Sequence, residues 1–193
     1  MAEQRIVLVA SDDAVRKNIK SMLVKLGYWV VGESGDGLSA LKMVRTRQPD
    51  LLVIEVGLSG MDGLEVAKIL HEDKLAPVVV IAPKYTQSIL EKAKEARVSA
   101  LLIKPVDEIT LTTAVELAMA NYQEMVSLEN KVKELKEAIE TRKIIERAKG
   151  ILMESMGLSE GEAFKRMQKQ SMNKRISMRQ VAEAVILAQN LKF

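Results

Sequence analysis

Apolar runs and helical patterns alternate five times along the first 120 residues. The run RIVLVA (5–10) is short and rich in β-formers, and over 13–26 Val15, Ile19, Met22, Leu23 and Leu26 recur at helical spacing until Gly27. YWVVGES (28–34) predicts a second strand and 37–47 a second helix. DLLVIEV (50–56) and PVVVIAP (77–83) predict strands three and four, followed by helices at 64–73 and 86–96. ALLIKP (100–105) predicts a fifth strand, with a helix over 107–120. Runs that are apolar on both faces, each followed by a helix, predict a parallel sheet covered on both sides. This is a doubly wound, five-stranded α/β domain over residues 1–120, in which ligands sit at the carboxyl ends of the strands.

The pattern then changes. Residues 107–141 contain neither Gly nor Pro, and Met125, Leu128, Val132, Leu135 and Ile139 are spaced 3, 4, 3, 4. Such an a/d seam predicts a parallel coiled-coil dimer over 121–141; an amphipathic helix folded back on its own domain would have the same pattern. The seam fails at Arg142, where the coil is expected to splay. Residues 142–193 predict a small three-helix domain. Its helices are 141–157, closed by Gly157; 158–174, opened by Ser159 with Glu162 in a capping box; and 176–191, opened by Ser177 with Gln180. The expected core is Ile144, Ile145, Ala148, Ile151, Leu152, Ala163, Phe164, Met167, Met172, Ile176, Val181, Ala182, Val185 and Ile186. Met153, Met156 and Met178 join Met167 and Met172 as expected core filler.

Composition narrows the classes. At 48% hydrophobic the 193 residues can fill a core, and no run approaches the length of a membrane helix. The N-terminus, MAEQRIVLVASDD, does not read as a signal peptide. Cysteine is absent, which removes disulfides and thiolate metal sites and suits the cytoplasm. The single histidine, His71, leaves no zinc cluster and no obvious triad; a helix-surface position is expected for it. No cofactor, no metal and no enzymatic activity are expected. The net charge of +3 hides an asymmetry: residues 1–120 carry −1, 121–141 carry −2 and 142–193 carry +6. A basic tail points to a polyanionic partner, although such tails also merely aid solubility.

The strand ends carry Ala10 and Ser11, Glu55, Ala82 and Lys104. Together with MDGLE (61–65) and IKP (103–105), residues 4–120 resemble the receiver domain of bacterial response regulators. The resemblance implies an acidic pair after strand one that holds Mg²⁺, an aspartate after strand three that accepts phosphate, a Ser/Thr after strand four and a lysine after strand five. Here the acidic pair falls on Ala10 and Ser11, with Asp12 able to enter only by a slipped register. The acceptor position is Glu55, the Ser/Thr position is Ala82, and Lys104 alone is kept. Mg²⁺ needs hard oxygen ligands, and a glutamate projects about a methylene too far for the same in-line geometry. Glu55 is expected to reach Lys104, because a buried lysine needs a partner. Three meanings stay open: a mimic of the phosphorylated state, a structural ion pair, or residual phosphorylation.

In the tail, AKGIL (148–152), Met156-Gly157 with Ser159, EAF (162–164) with Met167, and SMNKRISM with VAEAVI resemble the ANTAR domain. That domain is the RNA-binding output module of AmiR- and NasR-type antiterminators. The resemblance implies binding to paired RNA hairpins near a terminator, so that polymerase reads through. The expected contacts are Lys143, Arg147, Lys149, Gly150, Arg166, Lys169, Lys174 and Arg175, with Ala148 used for packing. Cations neutralise phosphates, Gly150 lets a backbone approach closely, and with aromatics at 3% loop bases are expected to meet Arg planes and polar edges rather than rings. Competing readings are a DNA-binding response regulator, a phosphorylation-responsive receiver and a dimeric scaffold. A homodimer is expected, with a regulatory or sensor partner as one possible input and expression level as the other.

Overall fold

The computed structural model describes residues 4–190, and the chain forms two compact units, Met1–Val126 and Ser127–Phe193. In the first unit five strands form one parallel sheet: β1 (Arg5–Val9), β2 (Trp29–Ser34), β3 (Leu51–Glu55), β4 (Val78–Ala82) and β5 (Ala100–Ile103), in the order β2-β1-β3-β4-β5. Every pairing is parallel. The helices α1 (Asp13–Lys25), α2 (Gly37–Arg47), α3 (Gly63–Glu72), α4 (Gln87–Glu95) and the start of α5 (Glu108–Met156) cover both faces.

The period of two along each strand sorts the core. Val7, Val9, Leu52 and Ile54 point to the α2, α3 and α4 side with Ala40, Val44, Val66 and Leu70. Ile6, Leu8, Leu51 and Val53 point to the other side and meet Ile19 and Leu23 of α1 and Leu111 and Val115 of α5. Each fully buried Ile or Leu contributes roughly 1.5–3 kcal/mol. This double burial is why the strands read as unbroken apolar runs. The edge strands β2 and β5 are only partly buried.

Local signals fix the helix starts. Asp12 caps α1 by accepting from the N–H groups of Ala14 and Val15. Asp62 and Glu65 close a capping box on α3. Gly63 seats α3 directly on the end of β3, since a Cβ there would collide with the Glu55 carbonyl oxygen.

Helix α5 runs unbroken for 49 residues, so the expected helices 107–120, 121–141 and 141–157 are one element and the backbone does not part at Arg142. Arg142 ends an apolar seam, which is a statement about packing; it carries no helix-breaking chemistry. Gly150, at about 1 kcal/mol against Ala, is too weak to interrupt a helix held by its flanks. Gly157, at φ +66°, does end it.

In the second unit the end of α5 packs with α6 (Glu160–Lys174) and α7 (Met178–Asn190) around Ala148, Leu152, Ala163, Met167, Val181 and Ala182. Ser159 and Glu162 close the capping box on α6, and Ser177 and Gln180 exchange bonds at α7. Leu191, in the expected helix 176–191, lies outside the described residues. Two core assignments are corrected: Phe164 is 43% exposed and Met172 73%. The buried stripe of α6 is Ala163 and Met167, and a residue one place on from Ala163 is rotated about 100° away from it. Met153 and Met156 are also exposed, so of the five methionines only Met167 is fully core, with Met178 packed at its edge. No helix among the described residues is long and apolar enough to cross a membrane.

Candidate functional site

The carboxyl ends of β1, β3, β4 and β5 bring Ser11, Glu55, Ala82 and Lys104 together. Glu55 is 6% exposed. Its Oε1 accepts a close bond from the Lys104 ammonium, and its Oε2 accepts from both the N–H and the hydroxyl of Ser11, each at 3.1 Å. Ala82 is fully buried, and its carbonyl accepts from the Lys104 N–H at 3.0 Å. Ala10 is buried, and its carbonyl receives Arg16 at 2.6 Å. Asp12 makes no direct bond to Glu55 or Lys104, although the Lys104 charge acts on it. Its carboxylate caps α1, and the N–H groups of Val15 and Ala14 hold its pKa below the usual aspartate value.

These groups do not fit Mg²⁺. Ala10 has no side-chain oxygen and its carbonyl is taken by Arg16, Ser11 spends its hydroxyl proton and N–H on Glu55, and both Glu55 oxygens are already engaged. Among the described residues no three Asp, Glu or His side chains could jointly hold a metal ion. What the arrangement does is neutralise a buried carboxylate and a half-buried ammonium within one closed network. The role of Ser11 as donor to Glu55 was not evident from the sequence, where it registered only as a missing acid.

The second unit divides its cations. Lys149, expected as an RNA contact, is 7% exposed, and its ammonium is committed to Glu160 at 2.7 Å and Glu146 at 2.9 Å. It ties the start of α6 to α5. Glu146 stands three residues before it and was legible as an i,i+3 partner; Glu160 arrives only through the fold. Lys143 is exposed and pairs with Glu140 at 2.8 Å, and Arg179 pairs with Glu183 at 2.8 Å. Arg147, Arg166, Lys169, Lys174 and Arg175 are exposed, and like Arg142 and Lys165 they form no ion pair among the described residues. At Gly150 an added Cβ would meet nothing within 4 Å, so its backbone faces open space. Ala148 is fully buried, in the packing role expected of it.

The lysine tie has a pH signature. The hydrogen bonds that Lys149 donates, to Glu160 first and Glu146 second, raise its pKa, and the bond from Lys149 lowers that of Glu160. The Ser159 hydroxyl and then its N–H lower that of Glu162. A carboxylate with a depressed folded pKa adds stability above its unfolded value and loses it as pH falls through the folded one. The helical melt of the second unit is therefore expected to shift to lower temperature as pH drops from about 5 towards 3, around the ordinary glutamate pKa of about 4.3. Lys149→Met is expected to lower the melt at neutral pH and to flatten that slope. An unchanged slope, followed by circular dichroism, would remove the tie from the account.

The seam residues Leu128, Val132, Leu135 and Ile139 are 49–64% exposed on the single chain, and Met125 is partly buried.

Comparison with known proteins agrees with this layout. Residues 6–116 match the response regulator receiver domain and residues 133–186 the ANTAR domain. The transcriptional regulatory protein PdtaR of Mycobacterium tuberculosis is 38% identical over 186 residues, covering 96% of this chain and 91% of that one. Among solved structures, a two-component response regulator of the LuxR family from Aurantimonas sp. SI85-9A1 is 29% identical, with a TM-score of 0.58 over 62% of this chain and 87% of that one. The signal receiver domain of the response regulator NarL from M. tuberculosis shares the fold, with a TM-score of 0.58 at 24% identity over 61% of this chain and 97% of that one. With the two domain families in this order and a relative matched along nearly its whole length, the chain belongs to the response regulators that join a receiver domain to an ANTAR domain, and it is a regulator of transcription.

Proposed function

We propose that the protein is a cytoplasmic, homodimeric, RNA-binding transcription antitermination regulator whose receiver-like domain works without aspartyl phosphorylation. The observation that carries the RNA half is the set of exposed cations without acid partners in the ANTAR-matching unit. Arg147, Arg166, Lys169, Lys174 and Arg175, with Lys143 and the open backbone of Gly150, form the contact surface. Lys149 serves it indirectly, by fixing α6 on α5. Phosphate contacts of this kind give salt-dependent affinity for a polyanion, and the ANTAR match points to hairpin RNA rather than duplex DNA.

The closed Glu55–Lys104–Ser11 network supports the second half. A phosphoryl group would have to displace Lys104 from a glutamate whose other oxygen is already held by Ser11, without an acidic pair to hold Mg²⁺. The network stands as a permanent ion pair at the acceptor position, and control enters elsewhere, through a partner or through expression level. The test is transcription across a terminator preceded by two hairpins, with purified protein and with or without acetyl phosphate and Mg²⁺. Read-through is expected to rise with protein and to ignore the phosphodonor, with no label on Glu55. Read-through that requires the phosphodonor, or a labelled Glu55, would contradict this reading.

A further inference from the structure

Phe164 is the single aromatic residue among the described residues of the second unit, and it is 43% exposed. On α6 it shares a face with Gln168 and Met172, at i, i+4 and i+8. Gln168 is exposed as well, and Met172 is 73% exposed. The adjoining stripe of the same helix carries Lys165 and Lys169, both exposed and without acid partners among the described residues. The buried stripe, Ala163 and Met167, lies on another side. A ring and a thioether beside two unpaired ammonium groups form a surface of definite chemistry. The apolar row suits the face of an unstacked base, and the cations suit the phosphates on either side of it. Duplex RNA offers no such face, because its bases are stacked and its deep groove is closed to side chains. A second protein chain would need the apolar row alone, and two unpaired lysines along its edge would oppose a second copy of the same basic helix.

We infer that Phe164 is the base-stacking residue for an unpaired hairpin-loop nucleotide, with Met172 extending the platform and Lys165 and Lys169 holding the adjacent phosphates. This rests on the RNA reading and sharpens it: the loop is met by a ring, where composition alone suggested polar edges and Arg planes. It also makes α6 the part of the unit that distinguishes loop from stem.

The experiment uses full-length protein and a two-hairpin RNA carrying 2-aminopurine at a loop position, whose fluorescence falls when the base is stacked. Wild type is expected to bind and to quench the probe. Phe164→Ala is expected to weaken binding roughly 5- to 150-fold, the span of one base–aromatic contact, and to lose the quench, while its thermal melt stays close to wild type because the ring is off the core. Phe164→Trp is expected to restore both. Lys165→Ala and Lys169→Ala are each expected to lower the salt slope by roughly 0.7 and to leave the quench in place. Phe164→Ala with weaker binding but an unchanged quench would overturn the stacking role, as would unchanged affinity with altered sedimentation, which would make the row a protein contact. Failure of wild type to bind the RNA is a separate result, and it would overturn the RNA reading together with this one.

Discussion

Leu128→Asp with Leu135→Asp is expected to turn the protein into a monomer and to weaken its hold on a two-hairpin RNA by about 10²- to 10⁴-fold. Both residues are more than half exposed on the single chain, and with Val132 and Ile139 they recur at heptad spacing on the unbroken α5. Burying each leucine against a second copy contributes roughly 1.5–3 kcal/mol. An aspartate at the same place brings an unpaired charge to the seam of each chain. The RNA effect follows from valency: two basic units joined by one coil engage the second hairpin at high effective concentration. Affinity for a single hairpin is expected to change little. Sedimentation velocity and gel shifts on one- and two-hairpin RNAs check both halves. A dimer that survives the substitutions would place the interface elsewhere, and a monomer with full two-hairpin affinity would break the link between coil and RNA.

The second large effect is electrostatic. Arg166→Ala, Lys169→Ala and Lys174→Ala together are expected to lower RNA affinity about 10²- to 10³-fold at moderate salt and to reduce the slope of log affinity against log salt by about two to three. None of the three side chains forms an ion pair among the described residues, so their removal leaves no buried acid unpaired and stability is expected to hold within about 0.5 kcal/mol each. Lys149→Met behaves in the opposite way: it lowers stability, and it leaves the salt slope unchanged. The contrast separates cations that meet phosphate from the one that supports α6.

Much of the first unit was legible because parallel strands buried on both faces carry their signal in every residue. Each of the five strand assignments lies within one or two residues of the observed element, and Glu55, Ala82 and Lys104 fell at strand ends as the pattern placed them. The Glu55–Lys104 contact was legible for a chemical reason: a buried ammonium needs an acid, and one carboxylate lay in reach. Ser11 was harder, since its N–H and hydroxyl turn to Glu55 only after β1 and β3 pair. The second unit hid more. Ala163 and Phe164 are adjacent in sequence, and apolar character alone does not say which of them faces inward; the packing of α6 against α5 and α7 decides it. Lys149 looked like its basic neighbours because Glu160, eleven residues away, becomes its partner only through the turn at Gly157. The continuity of α5 was obscured by reading the end of an apolar seam as the end of a helix.

The most direct test is a gel shift of purified protein, without any phosphodonor, against a two-hairpin RNA, a single hairpin and duplex DNA of equal length, each at two salt concentrations. Tight, salt-sensitive binding to the two-hairpin RNA, with weaker binding to the single hairpin and weakest to the duplex, is the predicted result. Binding that favours the duplex, or that waits for acetyl phosphate, would contradict the account.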